Sequence, residues 1–239
     1  VNLHRQTVDA LGLGEDFWQA EVAPLLLKLE NLLTGVSLVR ELSLRTRDYL
    51  VSFGERLSVR VLAAWFRKEG VRAEALDAWQ AGFISNGSNG SAEVLDSSYA
   101  TIASILNAKL VEGILPIVTG FIAKDEKGII TTLGRGGSDL TATIIGAACG
   151  AEEIQVWKDV DGILTADPRI VKNARPVSTL TYEEASELAY FGAQVLHPRS
   201  MQPCIRYEVP VRVKNSYNPD APGTIIVAKL EGSSRDRKS

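Results

Sequence analysis

The stretch Thr131-Thr132-Leu133-Gly134-Arg135-Gly136-Gly137-Ser138-Asp139-Leu140 constrains this chain more than any other. It reads as a strand end, a glycine turn and a helix start, with one cation and one anion inside the turn. Gly134, Gly136 and Gly137 accept positive φ and let a ligand come close to the backbone. Ser138 reads as the N-cap, and Asp139 then falls in the first helical turn. The free N–H groups of that turn and the Arg135 guanidinium suit an anionic ligand. Three glycines alone would serve a plain strand–helix connection equally well. The expectation that Arg135 and Asp139 are both buried in the turn tilts the reading toward a ligand. Neither common phosphate pattern fits. A dinucleotide fingerprint needs glycine where Asp139 stands, and a P-loop needs Gly-Lys-Ser/Thr after four free positions.

The flanks of the turn set the fold class. A strand over 129–133, a small apolar helix over 138–149 and a strand over 153–157 form a βαβ unit, which predicts a right-handed crossover in a mainly parallel sheet. Ligands of such sheets lie beyond the carboxyl ends of the strands. Three groups fall there: Thr119-Gly120, residues 134–139, and the loop Lys158-Asp159-Val160-Asp161-Gly162-Ile163-Leu164-Thr165-Ala166-Asp167-Pro168-Arg169. A charged run is usually a solvated loop, but this one follows an expected buried strand.

Elsewhere the periodicity predicts helices over 16–33 and 36–68, with a break at Gly35, a break or close packing at Gly54 and a stop at Gly70. It predicts a strand over 71–79, a flexible polar loop over 84–92, a helix over 96–112 and a buried parallel strand over 114–118. Asn86 and Asn89 each head an Asn-x-Ser triplet, which without a secretory signal reads as loop composition. Residues 124–128 read as a hairpin tip. A helix over 181–190 opens with a Thr181/Glu184 capping box. A helix over 197–207 and strands over 211–215 and 224–227 follow, and 232–239 reads as a disordered tail or linker stub.

Composition removes several function classes. The chain has 239 residues, 45% hydrophobic and 23% charged, with a net charge of −3. That fits one large globular domain or two small ones, and no basic stripe suggests nucleic acid. No apolar run is expected to approach the ~20 residues of a membrane span. Val1 to Gln6 shows neither a signal nor a transit peptide and no initiator Met, so the chain is expected to be cut or processed. Cys149 and Cys204 are too few for a disulfide framework and fit a reducing compartment. His4 and His197 are the only histidines, which argues against a zinc site and a Ser-His-Asp triad.

Four motifs then converge. Ser52-Phe53-Gly54-Glu55, the turn from Thr132 to Leu140, Val156-Trp157-Lys158-Asp159-Val160-Asp161-Gly162 through Arg169, and Phe191-Gly192-Ala193-Gln194-Val195-Leu196-His197-Pro198 resemble aspartokinase, a member of the amino-acid kinase superfamily, in order and spacing. Leu188-Ala189-Tyr190-Phe191-Gly192 and Val211 to Pro219 are similar to the monofunctional plant or algal type. The resemblance covers roughly 1–230.

It implies a three-layer α/β/α sandwich around an open, mostly parallel sheet of about eight strands, with 1–231 as one catalytic domain. It implies phosphoryl transfer from ATP to L-aspartate with Mg²⁺ bridging the phosphates, at the entry to lysine, threonine and methionine synthesis. By the resemblance, Arg135 clamps a substrate carboxylate, Glu55 pairs with its ammonium and Ser138 adds a hydrogen bond. Gly136, Gly137 and Asp139 serve the phosphoryl group, with Asp139 orienting cations. Lys158, Asp159, Leu164, Arg169 and Gln194 fall at nucleotide positions. Bacterial relatives often carry tyrosine at 164 and lysine at 194, and Lys158 would supply that cation here. A family motif, a strand with Lys-Phe-Gly-Gly, does not precede residue 55, and C-terminal ACT domains are not in the sequence. The first strand of the fold is therefore expected to be missing and 1–239 alone to be inactive. The plant-type match implies a plastid location, otherwise a cytoplasmic one, and relatives imply a homodimer. The alternatives are a non-catalytic nucleotide-binding relative, or a kinase for another acid such as glutamate.

Overall fold

The computed structural model describes residues 2–166, 171–190 and 196–229. It contains two compact units, 1–138 and 139–239.

The first unit opens with helices. α1 (Asn2–Ala10) and α2 (Gly14–Phe17) precede a π-helical turn over Trp18–Val22, which continues as α3 (Ala23–Val39). α3 runs through Gly35 and ends only where Arg40 turns left-handed at φ 54°, so the expected break at Gly35 is corrected. A Cβ on Gly35 would meet nothing within 4 Å, and the helical cost of a glycine, ~1 kcal/mol, is too small by itself to end a helix of this length. Trp18, Val22, Leu25 and Leu26 bury one face against Val8, Phe53 and Leu57. The other face leaves Leu27, Leu33, Leu38 and Val39 exposed. The continuous helical stretch Gly14–Val39 has 26 residues and is apolar enough, by length and composition, to cross a membrane. This corrects the expectation that no run approaches that length. A helix packing one face into a core passes the same test.

α4 (Leu44–Lys68) starts at an N-cap, where the Ser43 hydroxyl accepts from the Thr46 N–H at 3.2 Å. It runs unbroken through Gly54 to Glu69, with Gly70 at φ 87°. The expected interruption at Gly54 is absent, and a Cβ there would also meet nothing within 4 Å.

β1 (Ala73–Leu76) pairs in parallel with β3 (Leu115–Val118). β2 (Ile84–Ser85) pairs in parallel with β4 (Ile122–Asp125), and β4 pairs antiparallel with β5 (Ile130–Thr132) across the 126–129 tip. α5 (Ser98–Val111) lies between β2 and β3 in the chain. β3 is parallel, as expected, but half-buried to exposed rather than buried.

In the second unit, β6 (Ile154–Lys158), β8 (Val211–Asn215), β9 (Thr224–Val227) and β7 (Thr179–Thr181) pair in that order. β6–β8 and β7–β9 are parallel, and β8–β9 is antiparallel. β6 buries alternate residues only. α6 (Gly137–Cys149) joins β5 to β6, and these two strands belong to different hydrogen-bonded groups, so the simple one-sheet βαβ expectation is not met among the described residues. The fold remains mixed α/β with mostly parallel pairing.

α7 (Tyr182–Tyr190) carries the expected box: the Thr181 N–H donates to Glu184 at 2.8 Å, and the Glu184 N–H donates to Thr181 Oγ1 at 3.2 Å. α8 (Pro198–Tyr207) is capped by His197, whose Nδ1 accepts from the Arg199 N–H. Ile154, Val156, Leu180, Tyr182, Met201, Cys204, Val211 and Ile226 form this unit's core. Both cysteines are free. Burial pushes the Cys204 thiol up to about 12, and it also raises that of half-buried Cys149. The tail at 232–239 lies outside the described residues.

Candidate active site

In the first unit the site is assembled on α4. Ser52 and Phe53 are buried, and the Ser52 hydroxyl donates to the Tyr49 carbonyl at 2.7 Å. Two positions after Phe53, Glu55 reaches the loop after β3. Glu55 is half-buried. Burial raises its carboxyl above the usual range, and a hydrogen bond from the Gly120 N–H pulls partly the other way. Among the described residues no cation is paired with it. Gly120 is held in place by its neighbour Thr119, which is buried and whose Oγ1 accepts from the Ala78 N–H at 2.8 Å. A Cβ on Gly120 would stand 3.0 Å from Ser138 Cβ. Thr119-Gly120, read as a place where backbone meets a ligand, thus joins Glu55 to Ser138.

The glycine turn uses its three glycines differently. Gly134 and Gly136 take φ of 75° and 69°, and the Gly137 N–H donates to the Gly134 carbonyl at 3.1 Å. Gly137 is needed for space, since a Cβ would lie 2.8 Å from Phe121 Cδ2 and 3.2 Å from Leu133 Cβ. Two expectations are corrected here. α6 begins at Gly137, so Ser138 lies inside the first turn rather than capping it. Arg135 is exposed and Asp139 half-exposed, where both were expected to be buried. A tight turn has no interior large enough for a guanidinium, so Arg135 points outward with no ion-pair partner among the described residues.

In the second unit Asp139 Oδ2 stands 3.5 Å from Lys158 Nζ, with both side chains about one-quarter exposed. Lys158 ends β6, and its carbonyl accepts from the Ser216 N–H at 2.8 Å and the Ser216 hydroxyl at 2.9 Å. Asp161 accepts from the Asn215 and Asn218 side-chain amides at 2.8 and 3.1 Å. Gly162, at φ 118°, lets the Ile163 N–H reach Thr224 Oγ1 at 2.7 Å. Residues 158–163 of the loop are therefore pinned to β8, β9 and the residues between them. Asp159 is exposed, and half-buried Leu164 bridges to Pro176. Arg169 and Gln194 lie outside the described residues, and so does the Phe191–Val195 part of the fourth motif.

Sequence reasoning missed a supporting cluster. Buried Asp48, two helical turns before Glu55 on α4, accepts from Thr132 Oγ1 and Asn89 Nδ2, each at 2.7 Å, and from the Gly90 N–H at 2.8 Å. The signal was available: an aspartate on the apolar face of a predicted helix needs partners. The same bonds correct the picture of 84–92 as a flexible loop. Asn89, with its amide committed to Asp48 and to the Ile130 carbonyl, is not presented as a free acceptor.

The glycine turn entering α6 and the lysine–aspartate pair at the end of β6 are the features on which comparison with known proteins bears. The chain belongs to the amino acid kinase family, whose pattern matches residues 4–215. Its particular likeness within that family is to aspartokinases. It is 54% identical to aspartokinase 1, chloroplastic, of Arabidopsis thaliana over 94% of this chain and 39% of that protein. It is 53% identical to aspartokinase 3, chloroplastic, of the same plant over 97% of this chain and 41% of that protein. The crystal structure of E. coli aspartokinase III in complex with aspartate and ADP superposes with a TM-score of 0.82, at 38% identity over 90% of this chain and 47% of that one. The chain thus spans about two-fifths of the length of these curated relatives.

Proposed function

We propose that the chain is the catalytic region of an aspartokinase, transferring the γ-phosphoryl group of ATP to the side-chain carboxylate of L-aspartate. The observation that carries this is Glu55: a half-buried carboxylate with a neutral donor and, among the described residues, no cation beside it. Such a group is matched to an incoming ammonium, which an N-acylated acid lacks. Arg135, exposed and without an ion pair among the described residues, supplies a planar fork for a carboxylate. The similar E. coli enzyme, solved with aspartate and ADP, supports the same substrates.

The chemistry asks little of a base. One oxygen of the substrate carboxylate, already ionised at neutral pH, attacks the γ-phosphorus. The bond from that phosphorus to the β–γ bridging oxygen breaks, and ADP leaves with the electron pair, giving 4-phospho-L-aspartate. The barrier is the approach of two anions, so cations and backbone N–H groups do the catalysis. Lys158 would carry positive charge to the phosphates, with Asp139 orienting its ammonium. Gly136 and Gly137 would offer backbone N–H groups, Ser138 a hydroxyl to the amino acid, and Asp159, Leu164, Arg169 and Gln194 would border the nucleotide. Among the described residues no three acidic, histidine or cysteine side chains gather to hold a metal. Mg²⁺ would therefore be held chiefly by phosphate oxygens and water, which suits that ion.

The reaction opens the route to lysine, threonine and methionine. The chloroplastic Arabidopsis relatives support a plastid location, and the family resemblance supports a homodimer. The test is a hydroxamate assay of the protein at its natural length with L-aspartate, L-glutamate and N-acetyl-L-glutamate. Only L-aspartate should give turnover. Arg135→Lys should raise its KM about tenfold, the worth of one charge-assisted hydrogen bond, and leave the ATP KM within about twofold. Equal effects on both substrates would overturn the assignment, and absence of any turnover would favour a non-catalytic nucleotide-binding relative.

A further inference from the structure

We propose that Asp48 is a positioning residue for the amino-acid end of the reaction, setting the glycine turn that carries Arg135. This rests on the reading of Arg135 as the clamp for the substrate carboxylate. Asp48 is 1% exposed, and no cation is paired with it among the described residues. A carboxylate buried without a cation is costly, and its hydrogen bonds must compensate. All three go to the two segments that flank the turn. Thr132, on Oδ1, is the last residue of β5. Asn89 and Gly90, on Oδ2, belong to the segment laid along that strand.

That segment is tied to β5 at both ends. The Ala92 N–H donates to the Thr132 carbonyl at 2.8 Å, and Asn89 Nδ2 donates to the Ile130 carbonyl at 3.2 Å. The turn then rests on it, since the space beside Gly134 is filled by Ser91 Oγ at 3.1 Å and the Gly90 carbonyl at 3.4 Å. One carboxylate therefore fixes the strand end and the floor on which the next residues turn.

The same helix reaches the other end of the turn. Glu55 lies seven positions after Asp48 on α4, which returns it to nearly the same face about 10 Å along the axis. It bonds Gly120, whose backbone packs on Ser138. α4 thus holds the front of the turn through Asp48 and its rear through Glu55. A shift at Asp48 would displace Arg135 relative to Glu55, the two groups that would read the substrate's carboxylate and ammonium.

Two variants test this in the protein at its natural length. Thr132→Val removes the bond on Oδ1 at constant shape. Asp48→Asn keeps the volume but places an amide where one set of donors needs an oxygen. Each should raise the L-aspartate KM about tenfold with the ATP KM within about twofold, and the double variant should be no worse than the poorer single one. Hydrogen exchange of the 133–137 amides should quicken about tenfold in both, while the amides of 59–67 in α4 stay unchanged. A merely structural role predicts a loss of folded protein with both KM values preserved, and that result would overturn the proposal. So would unchanged exchange over 133–137 in Thr132→Val, which also decides the matter should Asp48→Asn not fold. If the parent protein does not phosphorylate L-aspartate, the functional reading fails, and the exchange measurement still decides what Asp48 does.

Discussion

The two units treat their functional charges in opposite ways. The first leaves them open: among the described residues Glu55 is met by a backbone N–H and no cation, and Arg135 projects from its turn without an ion pair. The second closes them: Lys158 sits against Asp139 at 3.5 Å, and Asp161 is held between two amides. An open pair of opposite charges is matched to a zwitterion, which brings both missing partners in one molecule. A closed pair is matched to a ligand that changes charge during reaction, because a carboxylate can hold a lysine in place before and after the phosphates arrive. On the proposed function, the first unit would select by vacancy of charge and the second by prior arrangement.

Glu55→Gln is the sharpest way to break this contrast. It removes the open anion at constant shape and should lower kcat/KM for L-aspartate by roughly 10- to 100-fold, the range of a charge-assisted hydrogen bond of about 1.5–3 kcal/mol. The pH dependence carries the same message. Burial raises the Glu55 carboxyl above 4.5, so the L-aspartate KM should climb as pH falls through that raised value. The stability effect has the opposite sense. A raised carboxyl favours the folded state below its folded pKa, and that contribution is lost as pH rises through it. Glu55→Gln should then unfold no earlier than the parent at pH 8, by thermal melting. Early unfolding would mean that Glu55 is a structural group.

Lys158→Met comes next. It should raise the ATP KM about tenfold and leave the L-aspartate KM within about twofold, the mirror image of Arg135→Lys. If it instead raised the L-aspartate KM, the division of labour between the units would be wrong. The smallest effect is expected at Gly54→Ala. The helix is continuous there and the space open, so alanine should stabilise by about 0.5–1 kcal/mol. Should the variant melt higher yet turn over more slowly, the space above Gly54 is used by a substrate.

Much of the candidate site was legible because its motifs are local. The turn, the Lys158 loop and the Thr181 box each depend on neighbours within a few residues, and their backbone geometry follows from glycine, capping and charge. What was not legible depends on packing over long separations. Gly54 looks like a break when propensity is read alone, yet buried Phe53 and Leu57 on either side carry α4 through it, and at Gly35 the cost of one glycine is too small to end α3. The run Leu115 to Val118 is apolar enough for a buried strand, but hydrophobicity does not report how many faces are covered. Arg135 and Asp139 were expected to be buried in the glycine turn, and that expected burial was the ground for reading a ligand there. The inference toward a ligand needs no burial, since an exposed guanidinium is equally able to receive one. Asp48 escaped notice because its partners lie about forty and eighty positions away, at Asn89, Gly90 and Thr132.

The thiols bear on how the protein can be handled. Cys204 is fully buried, and that burial pushes its thiol up to about 12, which keeps it in the unreactive thiol form at neutral pH. Cys149 is half-buried and shifted the same way. Alkylating dyes and mild oxidants should pass both by. A cysteine introduced at an exposed site, such as Val111→Cys at the end of α5 or Tyr217→Cys after β8, would then take a fluorophore selectively with the native cysteines left in place.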